Sequence, residues 1–134
     1  MKVLLPIVII FSIFSSCDDQ EMVVTSRDFP RLETLTISEN TIKGARFNAR
    51  FRYRGDFEIL NYGFIWNETP YPTLRTPSTD NYIVNENIQA ETYSVFISEG
   101  LIAGETYYVR AFVQTSDYTI YGINQTFKSK GSEN

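Results

Sequence analysis

The chain has 134 residues, a length typical of a single domain. Its hydrophobic fraction of 43% and aromatic fraction of 15% suffice for one packed core and argue against disorder. A formal net charge of -4 gives no reason to expect a nucleic-acid partner, and the absence of His removes the commonest general base and metal ligand.

The first predicted element is a secretory signal peptide over residues 1–16. Lys2 precedes an apolar run over residues 3–14, and small residues follow it, which is the order of features in an export signal. The run is shorter than the roughly 20 residues that a membrane span needs. Cys17 comes next and is the only cysteine, so it has no internal disulfide partner. A conventional signal with a coincidental cysteine, or an uncleaved anchor, is the alternative.

The sequence Phe14-Ser15-Ser16-Cys17 resembles a bacterial lipobox, in which the signal is cleaved before the cysteine and the cysteine is acylated. Phe14 stands where Leu is usual, and Ser16 stands where Gly or Ala is commoner. The resemblance implies that Cys17 carries palmitate-type acyl chains. Such chains anchor a domain to a membrane because each buried CH₂ contributes about 0.8 kcal/mol.

Residues 17–29 are predicted to form a tether between lipid and domain. The tether begins with Asp18-Asp19-Gln20-Glu21, which resembles the acidic signal that directs lipoproteins of Bacteroidetes to the outer face of the outer membrane. A solvated linker is the alternative, because like charges repel and extend a chain. Pro30 begins the predicted domain, residues 30–129, and residues 130–134 are predicted to be a polar tail.

Residues 45–54 carry the clearest strand pattern. Apolar or aromatic side chains alternate there with polar ones, four of which are arginines. Because successive side chains of a strand point to opposite faces, one face is predicted to lie in the core and the arginine face outside. A slip of one residue would bury the guanidinium groups, so the register is strongly specified. The predicted core positions are Ala45, Phe47, Ala49, Phe51 and Tyr53.

Further strands are predicted on the C-terminal side. Ile59–Asn67 is apolar on both faces, which favours a central strand with Trp66 in the core or at its rim. Residues 69–80 contain three prolines, and because proline cannot donate to a strand ladder they are predicted to form a loop or an edge. Other strands are predicted at residues 82–84, 93–97 and 121–128, the last with Ile123 and Phe127 as core candidates.

Residues 101–112 are predicted to form a tight corner followed by a strand that is rich in aromatic residues. Tyr107 follows Gly104 by three positions, and a buried Tyr at such a place can bond its hydroxyl to upstream backbone, as in the tyrosine corner of immunoglobulin-like sandwiches. The motif resembles the Leu-x-Pro-x-Thr-x-Tyr corner of fibronectin type III domains. Ala103 stands in place of the usual Pro, and Glu105 in place of Thr.

Three further motifs resemble fibronectin-type repeats in surface proteins of Bacteroidetes. Together with the corner they occur in the order of those repeats, over about residues 30–129. The resemblance implies a fold and says almost nothing about a ligand. The motifs are Gly63-Phe64-Ile65-Trp66-Asn67 followed by Thr69-Pro70, then Tyr107-Tyr108-Val109-Arg110-Ala111-Phe112, then Tyr121-Gly122 followed by Phe127.

The strand patterns also favour an all-β fold. No segment has a helical pattern, and turn signals recur roughly every 8–15 residues, which is typical of an antiparallel sandwich or barrel. With the resemblance, the expectation is an antiparallel immunoglobulin-like (fibronectin type III) β-sandwich of about seven strands.

The sequence favours a protein without catalytic activity, metal or cofactor. A Ser or Cys nucleophile needs an adjacent base, and the chain has no His and no Gly-x-Ser-x-Gly motif. A glycosidase would need two carboxylates across a cleft. Carboxylates are plentiful, but a sandwich of this size seldom has a deep cleft.

Two surface features are candidates for ligand binding. The arginine face could bind an anionic polymer such as an acidic glycan; the favoured alternative is a solvated face paired with carboxylates such as Glu33 or Glu91. Tyrosines predicted in loops could form a stacking platform for a sugar or a protein. The candidates are Arg46, Arg50, Arg52 and Arg54, and Tyr71, Tyr82, Tyr118 and Tyr121.

These features predict a binding or adhesion module of the cell envelope. It would be an outer-membrane lipoprotein, held by lipid on Cys17, exposed at the cell surface and in contact with an envelope protein or a glycan. The alternatives are a glycan-capturing accessory lipoprotein of a polysaccharide-uptake system and a purely structural spacer.

Overall fold

The computed structural model describes residues 30–88 and 90–132, which contain nine strands and no helix. All the strand pairings are antiparallel, and they form two sheets. The protein is an antiparallel β-sandwich, as predicted. The strands are β1 (Arg31–Thr34), β2 (Ser38–Thr41), β3 (Gly44–Tyr53), β4 (Ile59–Asn67), β5 (Asp80–Ile83), β6 (Thr92–Ile97), β7 (Thr106–Thr115), β8 (Thr119–Tyr121) and β9 (Gln125–Lys128).

The difference between nine strands and the predicted seven has a simple cause. In the first sheet β6 pairs with one edge of β3, while β1 and β2 lie one after the other along its other edge. In the second sheet β4 lies between β5 and β7, and β8 and β9 share the far edge of β7. Two edge strands are therefore each interrupted once, and the sandwich has seven strand positions.

The alternation over residues 45–54 gives the predicted core face. Ala45, Phe47, Ala49 and Phe51 are buried, whereas Tyr53 is 37% exposed because β3 ends there, beyond the packed layer. Tyr107, Val109, Ala111 and Val113 of β7 are buried on the facing sheet. The core lies between the two sheets.

Phe47 is at the centre of this core. Its ring makes edge contacts with Phe64, Trp66 and Phe127, at centroid separations of 5.7, 5.3 and 5.7 Å. Edge-to-face aromatic pairs at such distances add to the stabilisation that comes from burial alone. Trp66 is buried, in agreement with the core assignment. Ile123 is 66% exposed, so its assignment to the core was wrong.

The corner has the hydrogen bond expected of a tyrosine corner. The backbone N–H of Ile102 donates to the hydroxyl oxygen of the buried Tyr107 at 2.9 Å. Gly104 has φ +86°, a left-handed conformation that a side chain would strain. Burial raises the pKa of the Tyr107 hydroxyl above its usual range. The corner thus holds the start of β7 in place.

Hydrogen bonding continues past residue 129. The Ser132 hydroxyl accepts the N–H of Leu101 at 3.1 Å and donates to its carbonyl at 3.2 Å. The N–H of Lys130 donates to the side-chain carbonyl of Asn40, in β2, at 3.4 Å. Residues 129–132 are therefore attached to the corner and to β2. Cys17, the predicted signal and the predicted tether lie outside the described residues.

Candidate binding groove

The outer face of the second sheet is covered by the loop between β4 and β5, residues 68–79, which we call the proline loop. Gly63 pairs with Phe112 and Ile65 with Arg110, so all four side-chain positions share this face. Ile65 and Phe112 are fully buried, although they point away from the main core. Pro72 of the loop is also fully buried. The proline loop closes a small second apolar layer.

Arg110 fastens the proline loop to the sheet. Its Nε donates to the Gly122 carbonyl at 2.8 Å, and its Nη1 donates to the Pro72 carbonyl at 3.3 Å. The guanidinium lies 4.7 Å from the ring centroid of Tyr121, within cation–π range. Burial lowers the pKa of Arg110. The Tyr121 hydroxyl in turn accepts the N–H of Leu74 at 3.0 Å.

The loop is also braced internally. The N–H of Thr76 donates to the Thr73 carbonyl at 3.0 Å, and the N–H of Thr73 donates to the Thr76 hydroxyl at 2.9 Å. The side-chain amide of Asn67 donates to the Pro77 carbonyl at 3.1 Å. These bonds fix the turn that carries Arg75.

An open groove of about 500 Å³ lies between the proline loop and the β7–β8 hairpin. The hairpin wall is a tight turn in which the N–H of Thr115 donates to the Tyr118 carbonyl at 2.8 Å. The Tyr118 ring packs on Phe57 with centroids 6.1 Å apart. We call this feature the loop groove; it is lined by Thr73, Arg75, Gln114, Thr115, Ser116, Asp117, Tyr118, Thr119 and Tyr121.

The structure brings together two of the four candidate tyrosines. Tyr118 and Tyr121 both line the loop groove. Tyr71 belongs to the proline loop and is 71% exposed, but it does not line the groove. Tyr82 lies on β5 at the opposite edge of the sheet, beside Trp66 in a separate cavity of about 550 Å³. The four tyrosines therefore do not form one platform.

The arginine face is paired within the fold. Arg46 Nε lies 2.8 Å from a Glu39 carboxylate oxygen. Arg50 Nη2 and Arg52 Nε lie 3.1 and 2.6 Å from one oxygen of Glu33. These are the carboxylate partners that the favoured alternative expected, with Glu39 taking a role that the sequence suggested for Glu91.

Arg54 uses backbone partners instead of a carboxylate. Its Nη2 donates to the Ala90 carbonyl at 2.9 Å, and its Nη1 donates to the Ile88 carbonyl at 3.4 Å. All four candidate arginines thus have a place in the fold's own interactions. Any anionic ligand on this face would compete with them.

Glu33 is the centre of the arginine pairing. The hydrogen bonds from Arg52 and Arg50 hold the pKa of its carboxyl below the usual range. This cluster of one carboxylate and two guanidinium groups lies at the surface, where ion pairs are screened and contribute little to stability. The arrangement orders one face of β3 more than it strengthens the fold.

The described residues contain no group of three or more His, Cys, Asp or Glu side chains placed to hold a metal ion. Nor do these residues form a helix with the length and apolar character that a membrane span requires.

A third cavity, of about 450 Å³, lies at the end of the sandwich near the β3–β4 loop and includes Tyr62 and Ile88. Sequence reasoning missed the contribution of Arg75 and Gln114 to the loop groove, because only the fold brings the loop and hairpin together.

A scan against protein-family models finds no match to this chain. A search of curated proteins also finds no significant match.

Proposed function

We propose that the chain is a non-catalytic binding module of the cell envelope, anchored by lipid on Cys17. In this proposal the sandwich is the fibronectin type III-like part of a surface lipoprotein, and the loop groove makes the contact with glycan or protein. The tyrosine corner, with its 2.9 Å bond from Ile102 to Tyr107, supports the fibronectin-like interpretation. The lipobox-like sequence before Cys17 supports the anchor.

The observation that carries the binding proposal is the convergence of Tyr118 and Tyr121 on one open groove. Tyr118 is 49% exposed although its ring packs on Phe57, so the ring is both held in place and partly exposed. A rigid, half-exposed tyrosine offers apolar area and a hydroxyl at a small cost in conformational entropy. Contact surfaces for sugars and proteins use such side chains.

The binding proposal is tested with Tyr118→Ala and the control Tyr53→Ala. Tyr53 is a partly exposed tyrosine on the other sheet, outside the loop groove. The purified full chain is applied in solution to a glycan array. In a second assay it is immobilised and exposed to solubilised envelope proteins. We expect Tyr118→Ala to abolish capture with only a small fall in the unfolding temperature from the lost contact with Phe57, and Tyr53→Ala to retain capture. Equal capture by both variants would contradict binding at the loop groove. If the wild-type chain captures nothing, the structural spacer is favoured.

The anchor is tested separately by incorporation of labelled palmitate. The wild-type chain should take up label, and Cys17→Ser should not. Label that persists in Cys17→Ser would contradict the lipobox. This result is independent of whether the groove binds anything.

A further inference from the structure

We infer that the loop groove binds a saccharide that carries carboxylate groups, with Arg75 as the residue that reads the carboxylate. The inference rests on the proposed binding function and names its ligand class. It is drawn from the charge, ring and hydroxyl groups that the two walls of the groove present.

Arg75 differs from the other arginines among residues 30–88 and 90–132. Arg31 lies over the ring of Tyr53, and Arg110 over that of Tyr121. The three arginines of β3 have carboxylate partners, and Arg54, just after β3, has carbonyl partners. Within those residues, the Arg75 guanidinium has no hydrogen bond, ion pair or ring contact. An exposed guanidinium that the fold does not use is available for an external anion.

The backbone around Arg75 is fixed although its side chain has no partner. The N–H of Arg75 donates to the Thr73 hydroxyl at 3.3 Å, and three hydrogen bonds join Thr73 to Thr76. Leu74, which directly precedes Arg75, donates its backbone N–H to the Tyr121 hydroxyl. Binding therefore orders one side chain and leaves the loop unchanged, which lowers the entropic cost of association.

The opposite wall suits a sugar ring. Tyr118 and Tyr121 supply aromatic rings, and Ser116 and Thr119 supply hydroxyls at the hairpin. Gln114 adds a side-chain amide that can both donate and accept. This combination of rings with short polar groups matches the apolar faces and the rim hydroxyls of a pyranose.

Asp117 also lines the groove, and it decides between two classes of anion. It forms no ion pair with Arg75 within 4.0 Å, the limit for a salt bridge. Asp117 repels any anion near it, and a phosphate or a sulfate has few donors with which to offset that repulsion. A uronic acid can place its carboxylate on Arg75 and donate a ring hydroxyl to Asp117. The pair of opposite charges thus favours a carboxylated sugar over a simple anion.

The experiment compares acidic oligosaccharides with their carboxyl-reduced counterparts. The probes are oligogalacturonate, oligomannuronate and a glucuronate-containing oligosaccharide, each matched in length to a neutral form, and binding to the full chain is measured by calorimetry. We expect at least one acidic probe to bind more tightly than its reduced form, and the difference to shrink as salt is added.

The matched variants are Arg75→Gln and Arg31→Gln, which remove one positive charge each. A charge-assisted hydrogen bond accounts for about a tenfold or larger change in affinity, so Arg75→Gln should weaken acidic-probe binding by about that factor. Arg31→Gln should leave binding unchanged, and Arg75→Lys should be intermediate because it keeps the charge but loses the planar fork.

Three outcomes would overturn the inference. If acidic and reduced probes bind equally and Tyr118→Ala abolishes both, the proposed binding function stands and the carboxylate preference is wrong. If Arg75→Gln and Arg31→Gln weaken binding equally, the effect is that of net charge alone. If wild type binds no probe, the ligand class is wrong, and capture of envelope proteins decides the proposed function by itself.

Discussion

The hydroxyl of Thr34 accepts the backbone N–H of Ala111 at 2.9 Å, across the two sheets of the sandwich. Thr34 ends β1 and Ala111 lies in the middle of β7, opposite the interruption between β8 and β9. The carbonyl of Ala111 accepts the N–H of Gly122 at 2.8 Å, so both of its backbone groups are satisfied without a continuous edge strand. The interrupted edges of the two sheets meet at this bond.

Replacement of Thr34 by Val should destabilise the fold by about 1–3 kcal/mol, because the shape is kept while a buried N–H loses its acceptor. Thr36→Val is the matched control, since Thr36 is exposed and lies in the same segment. Urea unfolding of the purified protein measures both free energies. Equal losses for the two variants would mean that the bond to Ala111 has no net stabilising effect.

Replacement of Tyr107 by Phe should cost about 0.5–1.5 kcal/mol, toward the lower end, because the Ile102 side chain is exposed and water can reach that part of the corner. Tyr108→Phe is the control at the neighbouring position, on the opposite face of β7. Thermal unfolding compares the two. A Tyr107→Phe variant as stable as Tyr108→Phe would contradict a stabilising role for the hydrogen bond.

The sequence predicts the strands best where one face is clearly apolar. The alternation in β3 predicted its core row, because a slip of one residue would have buried arginines, and the motif around Gly104 and Tyr107 predicted the corner. Tyr53 and Ile123 were misassigned because alternation does not say where a strand ends: β3 stops at Tyr53, and Ile123 falls between β8 and β9.

The loop groove was only partly predictable. The prolines indicated a loop, and the tyrosines suggested a platform. The position of the loop depends on Arg110, which bonds Pro72 38 residues earlier in the chain. Nothing in the local pattern distinguishes an arginine that clamps a loop from one that faces solvent. The separation of Tyr82 from Tyr118 likewise follows from strand order, which places β5 and β8 on opposite edges of the sheet.

Replacement of Arg110 by Met should release the proline loop while the apolar stem still covers the sheet. Pro72 of the loop would lose its hydrogen bond from Arg110, and Tyr121 would lose its cation–π contact with the guanidinium. Limited proteolysis with trypsin, which cleaves after Arg75, should then be faster than in wild type. Arg52→Met on the other sheet is the control and should leave that cleavage rate unchanged. An unchanged rate in Arg110→Met would show that Pro72 and Leu74 hold the loop without the guanidinium.

Glu33 should make the free energy of unfolding depend on pH in the acidic range. Its folded-state pKa is lowered by Arg52 and Arg50, so its contribution is present above the ordinary glutamate pKa and is lost as the pH falls through the lower, folded-state value. Glu33→Gln should therefore flatten the acid side of the stability curve. Glu91→Gln, which removes a carboxylate outside this cluster of ion pairs, should follow wild type. Identical curves for the two variants would contradict the pairing.

The buried tyrosines should limit stability at high pH. Burial raises the pKa values of Tyr62, Tyr93 and Tyr107, so the neutral hydroxyls contribute stability that is complete below the ordinary tyrosine pKa of about 10 and is lost as the pH rises. The Tyr62 and Tyr93 hydroxyls donate to the carbonyls of Glu86 and Gly63 at 2.7 and 3.0 Å, bonds that ionisation would break.

A rapid jump to alkaline pH tests this expectation through tyrosinate absorbance. A phase of tyrosinate absorbance should appear only at the rate of unfolding, which circular dichroism reports independently. Tyr93→Phe should reduce the amplitude of this slow phase. If all tyrosinate absorbance appeared before the loss of β-structure, the buried hydroxyls would be accessible in the folded state, and the dry core around Tyr93 would be wrong.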